Sequence, residues 1–205
     1  LDILDHSSAQ FSFGSKLCID LTRPFPEEIK MTSEKDTFLF GPGRDDFAVA
    51  EAVCGYRNLL EEISLPVLLL NIQKHKGFSF KDLELKLIRI KSLYAVRAVI
   101  FFDEGVDTAD FDLILWLIGG NIDPERDIRL LEINSNNHIM LVDATVKTGE
   151  HDQFTRDWPN VVVMDDHTIA MVDSMWNSLG LGPFIPSPSI KYRSLVRGSG
   201  AVRGE

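Results

Sequence analysis

The sequence predicts an α/β protein with three layers, α/β/α, in which helices cover both faces of a mixed, mostly parallel sheet of about five to six strands. Two observations indicate this fold. Short apolar runs alternate with helix-length segments from about residue 37 to residue 104, a pattern typical of parallel βαβ units. Two later apolar runs, 128–133 and 138–145, lie too close together for a helical crossover and predict an antiparallel pair at one edge.

The first half of the chain carries the alternation. Its predicted elements are a strand at 37–40, a helix at 45–63, a strand at 66–73, a helix from Phe80 and a strand at 95–104. The 45–63 segment gives the clearest helix signal, because its apolar residues repeat on one face at helical spacing and Asp45 or Asp46 can cap its start.

The second half adds a helix, the antiparallel pair, a short strand and a last helix. The predicted ranges are 109–121 for the first helix, 160–166 for the strand, and 167–182 for the last helix, which Gly180 can cap. We expect residues 37–182 to form one domain and residues 183–205 to form an extended, partly mobile tail.

Composition and charge exclude several classes of function. The chain has 205 residues, 44% of them hydrophobic, and a formal net charge of -10. Four bases, Lys191, Arg193, Arg197 and Arg203, lie in the last fifteen residues, so the rest is strongly acidic and disfavours nucleic acid. No apolar run is long enough for a membrane-spanning helix and no leader pattern opens the chain, so we expect a cytoplasmic protein.

Two cysteines carry little chemical signal. Cys18 falls in a predicted strand and Cys54 in the middle of the predicted 45–63 helix, with no CxxC spacing. Free cysteine behaves as a small hydrophobic residue, so we predict two buried thiols.

Two segments share a pattern that suggests a duplication. Residues 14–22 read GSKLCIDLT and residues 137–145 read NHIMLVDAT. The matching positions are Ile19 with Val142, Asp20 with Asp143, and Thr22 with Thr145. We interpret residues 1–28 as the tail of a preceding module and residues 29–36 as a linker, and we expect the chain to be a piece of something longer.

The segment RAVIFFDEGVDTADFDLILWLIGGNIDPERDI, residues 97–128, resembles the carboxyl-terminal region of the UbiD family of decarboxylases. The positions that carry this resemblance are Asp103, Glu104, Asp107, Trp116, Asp123, Pro124, Arg126 and Asp127. The segment VDATVKTGEHDQFTRDWP at 142–159 is similar to the family's closing "I-D-A-T" and "R-x-W-P" stretches. The likeness covers roughly residues 60–180, and the opening DHSSAQFSFGSKLCIDLT resembles another stretch of the same region.

The resemblance implies a function for a larger protein. UbiD-like enzymes, including the menaquinone biosynthesis decarboxylases that the sequence looks closest to, use prenylated FMN and a divalent metal (Mn or Mg) to remove carboxylate from aromatic or unsaturated acids. Their flavin site and catalytic residues lie in a separate central domain. The resemblance therefore implies that this chain completes the pocket, makes homo-oligomers beside its own upstream flavin-binding domain, and has neither catalytic residues nor a bound cofactor of its own.

Four residues are candidates for contacts with a substrate or an anion. Lys16 follows a tight turn where an ammonium and free backbone N–H groups can meet a phosphate or carboxylate, although a surface lysine beside a turn fits better. His6, Ser7 and Ser8 form a polar run that the resemblance places near the substrate side, but no third partner identifies them as catalytic.

Three further motifs favour structural roles. The turn GPGR at 41–44 lacks phosphate-loop spacing and precedes two acids. The run Asp165, Asp166 and His167 fits a helix cap better than a metal site, and DPERD at 123–127 fits a turn held by Arg126. Two rival hypotheses remain. The first is a free-standing nucleotide- or phosphate-binding α/β domain, which GPGR and GSK support, and the second is a purely structural duplicate.

Overall fold

The computed structural model describes residues 41–134, 137–198 and 200. The segment predicted as a strand at 37–40, the expected module tail at 1–28 and the linker at 29–36 lie outside these residues. No helix in the described ranges is long and apolar enough to cross a membrane.

Five strands and six α-helices make up the described chain. The strands are β1 (Val53–Asn58), β2 (Val67–Ile72), β3 (Ala98–Asp103), β4 (Ile128–Asn134) and β5 (Asn137–Asp143). The helices are α1 (Leu59–Ile63), α2 (Phe80–Leu87), α3 (Phe111–Asn121), α4 (Pro124–Asp127), α5 (Gly149–Asp152) and α6 (Asp166–Met175). Four 3-10 segments join them: Arg44–Val49, Lys91–Ala95, Trp176–Ser178 and Pro188–Leu195.

The strands form one mixed sheet in the order β1-β2-β3-β5-β4. The central pairs β2–β3 and β3–β5 are parallel, whereas the edge pairs β1–β2 and β4–β5 are antiparallel. The mixed five-stranded sheet and the antiparallel pair of β4 and β5 confirm the predicted fold class. The second antiparallel edge, β1, was not foreseen.

Apolar side chains on both faces of the sheet form two cores. On one face, Leu68 and Leu70 of β2 pack with Leu83 and Leu87 of α2, and all four are buried. On the other face, Leu69 lies in a cluster with Leu113, Ile114 and Leu117 of α3. Neighbouring residues of β2 thus point to opposite helical layers, which gives the predicted three-layer arrangement.

The predicted helix at 45–63 is wrong. The segment forms a 3-10 turn, then β1, then α1. Residues of β1 alternate in exposure and pair with β2 from Val53↔Ile72 to Asn58↔Leu68. Apolar spacing alone did not separate the two possibilities, but Gly55 disfavours a helix, and a Cβ there would lie 2.9 Å from the Asn71 side-chain oxygen. Asn58 ends the strand and caps α1 by accepting a hydrogen bond from Leu60 N.

The predicted strand at 160–166 is also wrong, since residues 160–165 have no regular structure. Val162 is 74% exposed and no strand of the sheet lies beside it. A run of β-branched residues without a neighbouring strand has no hydrogen-bond partner for its backbone groups. Local propensity alone therefore does not make this segment a strand.

Candidate functional site

The predicted contact residues His6, Ser7, Ser8 and Lys16 all lie outside the described residues, as does Cys18. Their proposed roles toward a substrate or an anion therefore stay predictions. Cys54 is described, and the prediction that it is buried is wrong: it lies on the edge strand β1 and is exposed. Burial of its thiol is partial, and the pKa is raised first by this desolvation and then by the charge of Glu104.

The motifs expected to be structural have that role. In GPGR, the Asp46 carboxylate accepts a hydrogen bond from Gly43 N at 2.9 Å, so the turn satisfies its own donor. Asp165 caps α6 by accepting from Thr168 N at 2.8 Å. Within the described ranges, no group of three or more His, Cys, Asp or Glu side chains could hold a metal ion.

A crevice of about 510 Å³ opens where the parallel strands end. In a sheet of this kind, ligands commonly bind outside the carboxyl ends of the strands. Its polar lining comprises Gln73, Lys74, His75, Asp103, Glu104, Thr148, Glu150, His151, Ser194 and Arg197. Its apolar lining comprises Ile72, Val106, Leu117, Val146, Val161 and Leu195.

Both fixed cations of the crevice are bound to carboxylates. Lys74 Nζ lies 2.9 Å from Asp152 Oδ1, and both side chains are largely buried. Arg197 lies 2.8 Å from Asp103, whose other oxygen accepts a hydrogen bond from Val146 N at 2.9 Å. Together with Glu104 and Glu150, these pairs leave the crevice with no excess of positive charge.

This lining does not fit the phosphate of a flavin mononucleotide. Phosphate sites in proteins use unpaired cations or several free backbone N–H groups. Here Lys74 and Arg197 are already occupied and two further acids face the crevice. These charges disfavour a flavin phosphate in this crevice.

Some of the residues that carry the resemblance to the UbiD family meet around a buried lysine. Lys147 is 1% exposed, and its Nζ lies 3.2 Å from Asp143 and 3.7 Å from Asp127. It also donates hydrogen bonds to the carbonyls of Asp143 and Thr145, at 3.0 and 2.7 Å, and lies 5.8 Å from the centre of the buried Trp158 ring. We call Lys147, Asp143, Asp127, Thr145 and Trp158 the lysine cluster.

Further hydrogen bonds complete the lysine cluster. Thr145 donates from both its backbone N and its Oγ1 to Asp143 Oδ1, at 3.0 and 2.5 Å. Arg126 binds both oxygens of Asp127, at 2.7 and 2.6 Å, and Asp123 N donates to Asp127 Oδ2 at 2.8 Å. The DPERD segment is therefore a capped turn held by Arg126 and carboxylates, as predicted.

Opposing effects set the protonation of the two buried acids. Burial would raise the pKa of Asp143, but the charges of Lys147 and Lys74 and the bonds from Thr145 outweigh it and hold the pKa below its usual range. For Asp127, burial dominates and raises the pKa, although Arg126 and Lys147 oppose it. The pKa of the Arg126 guanidinium is raised despite burial, because Asp127 stabilises its charged form.

The lysine cluster has the features of a structural ion group. Its cation is bonded to two carbonyls and two carboxylates, so it has no free donor to offer a substrate. Sequence reasoning identified Asp127 and the VDAT strand but missed Lys147. The available signal was a lysine two residues after that motif, which is weak because lysine is almost always exposed.

A third feature is an apolar arm formed by residues 162–187. No residue of α6 is buried. Beyond α6 the arm folds on itself, since the Trp176 indole donates to the carbonyls of Gly182 and Pro183, both at 3.1 Å, and its ring packs edge-on against Phe184. Its exposed apolar residues are Val162, Met164, Met171, Met175, Leu179, Leu181, Phe184 and Ile185.

Comparison with known proteins gives partial matches. No protein-family model matches the chain. An uncharacterized protein of Aquifex aeolicus (strain VF5) is 28% identical over 120 residues, which is 53% of this chain and 24% of that protein. An uncharacterized protein of Archaeoglobus fulgidus is 27% identical over 99 residues, 42% of this chain and 20% of that protein. The chain thus matches a quarter or less of the length of these relatives.

Solved structures of a UbiD-class enzyme and of a vanillic acid decarboxylase are also partly similar. An evolved dimeric form of the enzyme HmfF from Pelotomaculum thermopropionicum, in complex with prFMN, gives a TM-score of 0.38 at 18% identity, over 49% of this chain and 22% of that chain. The open form of vanillic acid decarboxylase from Sedimentibacter hydroxybenzoicus gives a TM-score of 0.45 at 16% identity, over 65% of this chain and 31% of that chain.

Proposed function

We propose that this chain is the carboxyl-terminal assembly module of a UbiD-like decarboxylase that acts on an aromatic or unsaturated carboxylic acid in menaquinone or ubiquinone biosynthesis. The sequence resemblance supports the family. Four of the residues that carry it, Asp127, Asp143, Thr145 and Trp158, lie together in the lysine cluster. The module itself has no decarboxylase activity. Prenylated FMN and its divalent metal are held by another domain of the complete protein, since the crevice does not fit a flavin phosphate.

The observation that carries the assembly role is the apolar arm. Its exposed methionines, leucines and phenylalanine belong to neither core that the described residues form. A concentration of exposed apolar side chains of this kind is typical of a protein contact site. Methionine-rich surfaces also adapt readily to a partner.

The uncharged part of the arm permits a second copy of the chain as the partner. The body is strongly acidic, so two copies repel each other over most of their surfaces. Residues 174–187 contain no charged residue, so this part of the arm can meet its own equivalent without burying like charges. A two-fold contact, in which the same patch faces itself, satisfies this condition.

Sedimentation velocity over a concentration series tests the assembly role. We expect the chain to form dimers, and the double variant Phe184→Ser/Ile185→Ser to remain monomeric. The matched control is Leu85→Ser/Leu130→Ser, which removes two exposed leucines outside the arm and should dimerise as the parent does. A parent chain that stays monomeric at high concentration would sink the assembly proposal.

The decarboxylase assignment needs a separate experiment on the complete gene product. With prenylated FMN supplied, we expect it to bind the flavin and to release carbon dioxide from an aromatic or unsaturated acid. A complete product that binds no flavin would contradict the family assignment. It would not affect the proposal that the arm forms a dimer contact. The two halves of the proposal can therefore fail independently.

A further inference from the structure

The segment Pro188–Arg197 forms one wall of the crevice. Ser194, Leu195 and Arg197 line the cavity from this side. Tyr192 and Leu195 pack against the core formed with α3, but no residue from Pro188 to Leu195 is buried. The segment thus lies on the surface and covers the carboxyl ends of the parallel strands without being part of the core.

Three ion pairs attach this segment to three different elements. Lys191 lies 2.7 Å from Asp110 at the start of α3, Arg193 lies 2.6 Å from Asp166 in α6, and Arg197 lies 2.8 Å from Asp103 at the end of β3. About half of each of these basic side chains is exposed. Such pairs are individually weak and are screened by salt.

One further polar group holds the segment from the other side. The Asn160 side-chain amide donates to the carbonyls of Arg197 and Gly200, at 2.5 and 2.8 Å, and its oxygen accepts from Arg197 N at 3.0 Å. The attachment therefore rests on surface charges, two partly buried apolar side chains and one asparagine. Elements with so few buried contacts open at low free energy.

We propose that Pro188–Arg197 is a releasable strap that closes the crevice and opens as ionic strength rises. The uneven charge of the chain has this use: the basic end binds the acidic body along one wall of the cavity. Release removes Arg197 from Asp103 and leaves the crevice lined by Asp103, Glu104 and Glu150, with Lys74 still held by Asp152. The open crevice then suits a cationic ligand, while the closed one holds the chain's own arginine in that place.

Hydrogen exchange followed by mass spectrometry on the full chain tests the strap. At about 1 M salt the screening length falls to about 3 Å, and we expect amide exchange at 188–198 and at 103–106 to rise about tenfold relative to low salt. Exchange in β2 should stay unchanged. Arg197→Gln should give part of the same rise at low salt, whereas Arg89→Gln, which removes an exposed arginine just after α2, should give none.

Two results would overturn the strap. The first is exchange at 188–198 that responds neither to salt nor to Arg197→Gln, which would identify the segment as a fixed wall. The second is a salt response of equal size in β2, which would mean that salt loosens the whole domain rather than releasing the segment.

Discussion

The lysine cluster and the apolar arm are opposite in character, and each inverts the usual distribution of residues. The cluster places a cation and two carboxylates inside the body, where charged groups rarely lie, and the arm places apolar side chains outside. The cluster satisfies itself, because every charge in it has a partner within the chain. The arm finds no such partner among the described residues. Paired charges therefore stabilise the body from within, whereas the proposed assembly role gives the apolar side chains of the arm a contact.

The largest expected effect comes from breaking the cluster. Lys147→Met leaves Asp143 and Asp127 buried without their shared cation, and removal of one member of a buried ion group costs about 3–5 kcal/mol. Urea denaturation measures this loss. We expect it to appear as a lower midpoint with an unchanged slope.

The control for this prediction applies the same change at the surface. Arg129 pairs with Glu84 at 2.7 Å, but its side chain is 42% exposed, so Arg129→Met should cost no more than about 1 kcal/mol. Equal losses in the two variants would contradict the view that the cluster stabilises the body.

The cluster also predicts a dependence on acid. The pKa of Asp143 is lower in the folded state than in the unfolded state. Its contribution to stability is therefore fully present at pH values above the unfolded pKa of about 4. This contribution is lost as the pH falls through the lower pKa of the folded state. Asp127, whose pKa is raised, has the opposite sign and offsets part of this loss. Denaturation curves at pH 7, 4 and 3 should therefore show a steeper decline for the parent than for Asp143→Asn. Parallel declines would remove Asp143 as a source of acid sensitivity.

A smaller effect is expected at the junction between β2 and the crevice. Asn71 is buried and donates to the carbonyls of Asp103 and Val106 at 3.0 and 2.9 Å. Asn71→Ala removes both of these hydrogen bonds, although Val106 N still donates to the Asp103 carbonyl at 3.1 Å, and should cost about 1–3 kcal/mol. The exposed Gln73, two residues further on, is the control, and Gln73→Ala should leave the unfolding midpoint almost unchanged.

The smallest effect on stability should come from the arm. Phe184 is 51% exposed. In dilute solution, Phe184→Ser should therefore change the free energy of unfolding by about 0.5 kcal/mol or less. A loss comparable to that of Lys147→Met would show that the arm belongs to the folding unit of the body.

Sequence reasoning located the middle of the fold well. The runs 66–73 and 95–104 became β2 and β3, and the helix from Phe80 became α2 with Leu83 and Leu87 on its buried face. These elements succeed because their apolar pattern and their final burial agree. Gly180, with a φ of +65°, also lies just past the last helical turn, as predicted.

The failures have a common physical cause. The predictions for 45–63 and 160–166 used local spacing and propensity, which do not reveal whether a neighbouring strand is present. In the structure β1 pairs with β2, whereas residues 160–165 lie beside no strand of the sheet. Lys147 was missed for a similar reason. Its burial depends on contacts with Asp127 and Trp158, which lie 20 and 11 residues away in sequence. No local sequence pattern predicts these contacts.

The most direct test of this account is hydrogen exchange of the chain at low and high micromolar concentration. If the body is complete and the arm requires a second copy, amides of residues 166–187 should gain protection as the concentration rises, while those of β2 and β3 stay equally protected throughout. Arm protection that does not depend on concentration would contradict the account.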